Sequence, residues 1–233
     1  MRDGAKKRIS VRSYSDRLLS AEDASFIKER LDALNGTAGL CCKLCEDASS
    51  AFDNLKKSYG MFKNVKSVIV MQGKNDDPDL YEKVGFYGEE LILDLVERGL
   101  GTCWVGGTFD KSEFTADEGC EIACVITVGY PDSLRVKDRV MYSVLHKRKS
   151  AEERITSDSA LPENVRRGVE AVITAPSAVN SQKPHFSLSD GVLTVSVPDT
   201  SGMTLIDLGI AKYHFFDETG LRFEYGNDAK IKI

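Results

Sequence analysis

Residues 80–98, LYEKVGFYGEELILDLVER, carry the strongest helical pattern of the chain. Val84, Gly88, Leu91, Ile92, Leu95 and Val96 recur on one face, and Glu89, Glu90, Glu97 and Arg98 fall off it. Gly85 and Gly88 each weaken such a helix by about 1 kcal/mol relative to alanine, so something is expected to pack closely on that surface. Gly99 and Gly101 end the helix. It is flanked by two β-branched runs, VKSVIVM at 65–71 and EIACVITVG at 121–129, which read as buried strands. The unit is therefore strand, apolar helix, strand.

Towards the N-terminus, residues 1–19 read as extended. Ser20 with Asp23 three residues on has capping-box spacing, and Ile27, Leu31 and Leu34 follow at helical intervals to a stop at Asn35-Gly36. Residues 37–64 show no clear pattern. Towards the C-terminus, the polar run LHKRKSAEER at 145–154 marks a boundary between residues 1–150 and 151–233. Beyond it, Pro162 opens a helix with Val165, Val169, Val172 and Ile173 on one face, and Pro176 stops it. GVLTVSV at 191–197 alternates as a strand, 204–216 reads as a helix, and 221–225 as a last strand. The first half's Leu91-Ile92-Leu93-Asp94-Leu95 is echoed by Leu205-Ile206-Asp207-Leu208-Gly209. The two stretches follow one plan, which implies one unit duplicated and fused so that a single chain imitates a dimer. The order of elements favours an α+β fold.

Composition narrows the function. With 42% hydrophobic and 29% charged residues the chain is that of an ordinary globular protein, and a net charge of −5 spread along its length argues against nucleic acid as the main partner. No run of 18 apolar residues suggests a membrane span. The charged start, Met1 to Arg8, leads into no signal-type apolar core, so a cytoplasmic protein with free thiols is expected at Cys41, Cys42, Cys45, Cys103, Cys120 and Cys124.

Three segments carry chemistry. In Arg8-Ile9-Ser10-Val11-Arg12-Ser13-Tyr14, extended backbone puts Arg8, Ser10 and Arg12 on one side, two guanidinium forks and a hydroxyl suited to one phosphate; a solvated basic tail is the plainer alternative. Residues 175–186, APSAVNSQKPHF, place Ser177, Asn180 and Gln182 between prolines as donors and acceptors. Residues 99–109, GLGTCWVGGTF, set the only tryptophan among glycines that let backbone approach a flat ligand.

Taken together, R-x-S-x-R, A-P-S-x-x-N-x-Q and G-L-G-T-C-W-V-G-G resemble the motifs of the nitroreductase family of FMN-dependent oxidoreductases. The resemblance spans nearly the whole chain and is greatest to the family's fused-repeat branch from anaerobes and thermophiles. It implies one FMN per chain between the two halves, the mirror site being degenerate because Arg154-Ile155-Thr156-Ser157-Asp158 lacks a second arginine. By the same resemblance, Arg8, Ser10 and Arg12 hold the phosphate and ribityl chain, and the basic Lys147, Arg148 and Lys149 close over that phosphate. Ser177, Asn180 and Gln182 face the flavin, and backbone groups of Trp104, Val105, Gly106 and Gly107 lie near its N5 and pyrimidine edge. Lys183-Pro184 replaces the family's usual Pro-Trp pair, so the pocket wall differs.

The implied activity is ping-pong hydride transfer from NADH or NADPH to a small organic acceptor such as a nitroaromatic or a quinone, by a monomer or homodimer. It needs no dedicated catalytic side chain and no metal. No G-x-G-x-x-G follows a strand, so the nicotinamide would bind only through the flavin pocket. Two other readings stay open: a flavin-binding or flavin-storing protein with little turnover, and a metal or redox site at Cys41, Cys42 and Cys45. Of the histidines, only His185 sits beside a ligand segment, while His146 and His214 suit surface or core roles.

Overall fold

The computed structural model describes residues 1–53, 61–132 and 147–233. Its helices are α1 (Asp3–Lys7), α2 (Ala21–Ala38), α3 (Ser50–Asp53), α4 (Leu80–Glu97), α5 (Glu163–Val172) and α6 (Gly202–Thr219). Its strands are β1 (Lys43–Cys45), β2 (Ser67–Lys74), β3 (Gly101–Val105), β4 (Cys120–Gly129), β5 (Ile155–Ser157), β6 (His185–Ser189), β7 (Val192–Ser196) and β8 (Ala229–Lys232). The chain is thus α+β. No described helix is long and apolar enough to cross a membrane.

Two compact units interleave along the sequence: Lys7–Leu80 with Leu91–Met141, and Met1–Lys6 with Tyr81–Glu90 and Tyr142–Ile233. Helix α4 gives its residues up to Glu90 to one unit and those from Leu91 to the other.

The unit containing residues 7–80 is built on an antiparallel sheet of order β1-β2-β4-β3. Its strands bury Val68, Val70, Val105 and Val125 against Val11, Tyr14, Phe52 and Phe109. Phe109 stacks on Phe52 at 6.3 Å between ring centroids. Helix α2 begins as the spacing predicts, the Ser20 hydroxyl accepting the Asp23 N–H at 3.1 Å. It runs past Asn35-Gly36 to a left-handed Gly39, because the Gly39 N–H can close on the Asn35 carbonyl at 2.9 Å. Residues 1–19 are extended only in part: a short helix, α1, occupies Asp3–Lys7.

The other unit carries the sheet β5-β6-β7-β8, parallel between β5 and β6 and antiparallel elsewhere. Its core stacks Phe186 on Phe215 at 5.4 Å, with Phe223 at 5.4 Å from Phe215. The expected strand at 221–225 is absent. Phe223 is buried in this core, and the carbonyls of Glu224 and Gly226 accept from the Lys212 ammonium at 2.8 and 2.9 Å, so that backbone does not form a ladder. The pairing with β7 falls to Ala229–Lys232, after a left-handed turn at Gly226 and Asp228. Strand β6, which begins at the last two residues of the stretch 175–186 read as a ligand loop, is not expected from the sequence.

Leaving aside α3 and β3, which are inserted in the first run, the order helix, strand, strand, apolar helix, strand occurs twice, as α2-β1-β2-α4-β4 and α5-β6-β7-α6-β8. In both, the first strand pairs antiparallel with the second and the second with the last.

Helices α4 and α6 meet backbone to backbone. A methyl at Gly85 would lie 2.1 Å from the Ile206 carbonyl oxygen, and one at Gly209 would lie 2.1 Å from that of Glu82. The expectation of close packing is met at Gly85. Beside this contact sit two buried polar pairs, the ion pair of Glu82 with Lys212 and the contact of Glu89 with His214. Glu89, expected on the outer face, is fully buried, its carboxylate 3.0 Å from His214 Nε2, while His214 Nδ1 lies 3.2 Å from the Thr174 hydroxyl.

Gly85→Ala is therefore expected to lower the melting temperature by at least about 5 °C, since backbone must move to admit the methyl. Gly36→Ala, with open space at that position, should leave it unchanged or raise it slightly. Equal melting temperatures for the two variants would refute the close approach. Lys212→Met, which strands Glu82, should cost about 3–5 kcal/mol in denaturant unfolding.

Candidate functional site

Each unit contains part of the sequence-expected site. In the unit with residues 7–80, the segment Arg8–Tyr14 lies along the outer edge of β3: Ser10 bridges Thr102 in parallel, and the Val11 N–H donates to the Thr102 carbonyl at 2.8 Å. Alternation then sorts the side chains. Val11 is buried in the apolar core with Ile9 packed against it. Arg8, Ser10 and Arg12 alternate with these to the other side of the segment, towards the buried Cys103, whose thiol donates to the Trp104 carbonyl at 3.4 Å. Burial pushes that thiol up, and the Arg12 and then the Arg8 guanidinium pull it back. Cys103 was not picked out from the sequence; its place opposite R-x-S-x-R depends on the β3 pairing.

The segment is held in register at its far end by Tyr14. The Tyr14 hydroxyl donates to the Val11 carbonyl at 2.8 Å and lies 2.7 Å from the Thr127 hydroxyl. Burial pushes this phenol well up, so it stays protonated and keeps both contacts.

Trp104 is half-buried on β3 opposite Ile126, and Val105 is buried opposite Val125. Gly106 and the exposed Gly107 follow the strand, and a methyl at Gly107 would meet nothing within 4 Å. Gly101 is small for another reason: a methyl there would lie 2.9 Å from Val11 Cγ2, so its absence lets the Arg8–Tyr14 segment seat on β3.

The other unit brings together Lys147, Arg148, Lys149, Ser177, Asn180 and Gln182. They are joined to one another rather than standing available, as the sequence had suggested. The Gln182 amide accepts from the Lys149 N–H at 2.8 Å and from Arg154 at 2.9 Å, and it donates to the Lys147 carbonyl at 2.8 Å. Asn180 Nδ2 donates to the same carbonyl at 3.1 Å. Arg148 donates to the Ala175 carbonyl at 2.5 Å, and the Gln182 N–H donates to the Ser177 hydroxyl at 2.9 Å. Gln182 thus reads the backbone of the basic segment.

Two residues missed from the sequence anchor this network. Arg154 is 2% exposed, its Nε has no hydrogen-bond partner, and burial followed by the nearby Arg148 charge brings its pKa down to about 10. It lines a cavity of about 10 Å³ with Ser177, Gln182 and Asp207, room for about one water. Asp207, on α6, accepts the Ala178 N–H at 2.9 and 3.1 Å and the Ser181 hydroxyl at 3.4 Å. Lys183 turns away to bond Asp199 and Thr204, both at 2.8 Å, so it fastens the loop to the start of α6 where the family's tryptophan is lacking.

The loop is conformationally strained. Val179, Asn180 and Gln182 all have left-handed backbone, with φ of 48°, 55° and 51°, and Val179 is 99% exposed. A β-branched residue there costs about 1–3 kcal/mol, which the contacts of Asp207 and Gln182 offset. His185 lies on β6 and bonds the Thr156 hydroxyl at 2.9 Å; His146 lies outside the described residues.

Among the described residues, no group of three or more His, Cys, Asp or Glu is arranged to hold a metal ion.

Burial raises the Asp207 carboxyl from 3.8 to about 6. The folded state then holds this proton more tightly than the unfolded chain, so its contribution to stability is full below pH 3.8 and is lost as pH rises through 6. Asp207→Asn should therefore gain on the wild type between pH 4.5 and 7.5, by up to about 2–3 kcal/mol in denaturant unfolding. A difference independent of pH would refute the shift.

Residues 3–217 match the family described as "Putative TM nitroreductase". A crystal structure of a "putative nitroreductase" from Thermotoga maritima matches with a TM-score of 0.60 at 22% identity, over 98% of this chain and 90% of that one. An FMN-dependent nitroreductase from Clostridium difficile R20291 matches at 20% identity over 63% and 98% of the respective chains, with a TM-score of 0.47. A nitroreductase family protein from Clostridium difficile 630 matches at 18% identity over 67% and 97%, with a TM-score of 0.49. No functionally curated protein matches the chain. The fold is shared with the Thermotoga structure, and the family match covers most of the sequence: the chain belongs to this nitroreductase family.

Proposed function

We propose that this protein binds FMN and passes hydride from NADH or NADPH to a small organic acceptor such as a nitroaromatic or a quinone, in ping-pong order. The observation that carries the reading is the pairing of the Arg8–Arg12 segment with β3, which commits Ile9 and Val11 to the core and leaves Arg8, Ser10 and Arg12 on the other side. Two guanidinium forks and a hydroxyl on one side of a fixed segment suit a phosphate monoester, which arginine binds through paired charge-assisted hydrogen bonds. The donor set therefore fits the phosphate end of FMN. When bound, the flavin would supply the hydride chemistry, and the protein binding and orientation.

Ser177, Asn180 and Gln182, with Lys147, Arg148 and Lys149, are the second set of flavin-binding residues in this proposal. Gln182 acts there by fixing the backbone of Lys147–Lys149, since its own amide is engaged. Backbone groups of Trp104 to Gly107 complete the set. The twofold run of helix, strand, strand, helix, strand supports the fusion of two related halves in one chain.

The test is a flavin titration of the purified protein, followed by NADH and NADPH addition without oxygen. FMN should bind and its absorbance should bleach. Binding without bleaching would favour flavin storage over turnover, and a protein that refuses added FMN would end the proposal. Arg8→Gln and Arg12→Gln should each weaken FMN binding by about 10- to 150-fold, on about 1.5–3 kcal/mol for a charged hydrogen bond, and should leave riboflavin binding unchanged. Equal losses for both flavins would remove the phosphate role.

A further inference from the structure

Within the loop that holds Ser177, Asn180 and Gln182, the chain makes a turn that its own sequence disfavours. The Ser181 N–H donates to the Ala178 carbonyl at 2.9 Å and closes four residues whose two central members, Val179 and Asn180, are both left-handed, with φ of 48° and 55°. Such a turn is the mirror image of the common one and normally takes Asn-Gly at its centre. Asparagine tolerates that backbone, whereas a β-branched valine resists it. Val179 is also 99% exposed, so packing of its side chain does not offset the strain. The turn has to be held from outside.

Asp207 holds it. This residue lies on α6 and is 3% exposed. Both of its carboxylate oxygens accept the Ala178 N–H, at 2.9 and 3.1 Å, and one also accepts the Ser181 hydroxyl at 3.4 Å. Ala178 and Ser181 are the first and fourth residues of the turn, so a single carboxylate closes across its base. One turn of helix earlier, the Thr204 hydroxyl accepts from the Lys183 ammonium at 2.8 Å, which ties the chain just past Gln182 to the same helix. The centre of the turn lies outside this clamp, where the Asn180 amide donates to the Lys147 carbonyl at 3.1 Å. Strained backbone persists only where its surroundings over-determine it, and such places cluster at ligand sites.

We propose that Asp207 is a positioning residue of the flavin site: its carboxylate holds the 178–181 turn in the left-handed form that presents Asn180 to the isoalloxazine. The role rests on the proposed function, and Asp207 acts through the loop without touching the ligand. Released from Asp207, the turn would relax towards the right-handed form that valine favours. The share of molecules ready to bind would then fall, and the apparent affinity with it. Asn180 is assigned to the ring, whereas Arg8 and Arg12 are assigned to the phosphate, so the loss should be equal for FMN and riboflavin. An asparagine at 207 keeps an oxygen that accepts the Ala178 N–H and should hold the turn.

Two measurements on the purified full-length protein test this. In the flavin-free protein, the Ala178 amide should be protected from hydrogen exchange in the wild type and in Asp207→Asn, and should exchange at least about 10-fold faster in Asp207→Ala. In titrations with FMN and with riboflavin, Asp207→Ala should bind both about 10-fold more weakly, and Asp207→Asn should stay within about twofold of the wild type. Adding Val179→Gly to Asp207→Ala should recover most of the lost affinity, because glycine takes left-handed backbone without strain. A substitution that merely destabilised the fold would not be repaired there. An unprotected Ala178 in the wild type, an exchange rate that Asp207→Ala leaves unchanged, or a loss confined to FMN would overturn the proposal. A wild-type protein that binds neither flavin would remove the flavin reading and this role with it, whereas protection lost without any loss of flavin affinity would remove this role alone. The wild-type exchange decides the clamp even where Asp207→Ala fails to fold.

Discussion

The close approach of Gly85 to the Ile206 backbone and of Gly209 to the Glu82 backbone is the constraint from which the rest of its unit follows. Two helices whose backbones touch leave no room for side chains at the crossing, so the polar groups on either side are committed to one another. Glu82 and Lys212 face across it, and each also holds the loop that leads to the last strand. Glu82 accepts the Gly226 N–H at 2.7 Å, while Lys212 holds the Glu224 and Gly226 carbonyls. Glu89 reaches His214, and His214 reaches Thr174 at the end of α5. Removing one partner of such a pair strands a charge where water cannot relieve it. The helix crossing therefore fixes both the residues entering the 177–182 loop and the path to β8.

The same economy governs the two buried arginines. Arg8 and Arg154 each open an extended segment that pairs in parallel with a strand: Ser10 with Thr102 in one unit, β5 with β6 in the other. Each is almost fully buried. Burying a guanidinium is costly unless donors and charges are satisfied nearby. Arg154 is answered by Gln182, which in turn holds the basic segment 147–149, so one arginine organises a loop and its neighbour together.

The helices and central strands were legible because they obey simple periodicities: α2 from its cap, α4 from its apolar face, β2 and β4 from β-branched runs. What failed did so for tertiary reasons. Glu89 looks like an outer-face carboxylate until α6 supplies His214. Residues 221–225 have strand composition, but Phe223 is needed in the core and the nearby carbonyls are needed by Lys212. Strand β6 starts just after Pro184, where the prolines and amides of 175–186 suggest a loop. Within the candidate site, the alternation of Arg8, Ser10 and Arg12 was readable from sequence alone, and the structure brings them together. Cys103, Arg154 and Asp207 were not readable, since each is defined by a partner distant in sequence. Gln182 was singled out for a ligand's sake, and its amide is used instead to bind the protein's own backbone.

Helix α4 gives its residues to both compact units, and this sets an order of events as the chain leaves the ribosome. Residues 7–141 contain everything one unit uses, whereas Tyr81–Glu90 belong with residues not yet made. Until α6 emerges, on the order of ten seconds later at about 5–20 residues per second, the flank bearing Glu82, Gly85 and Glu89 has no counterpart. The Glu82 and Glu89 carboxylates on that flank meet their partners only once Lys212 and His214 arrive.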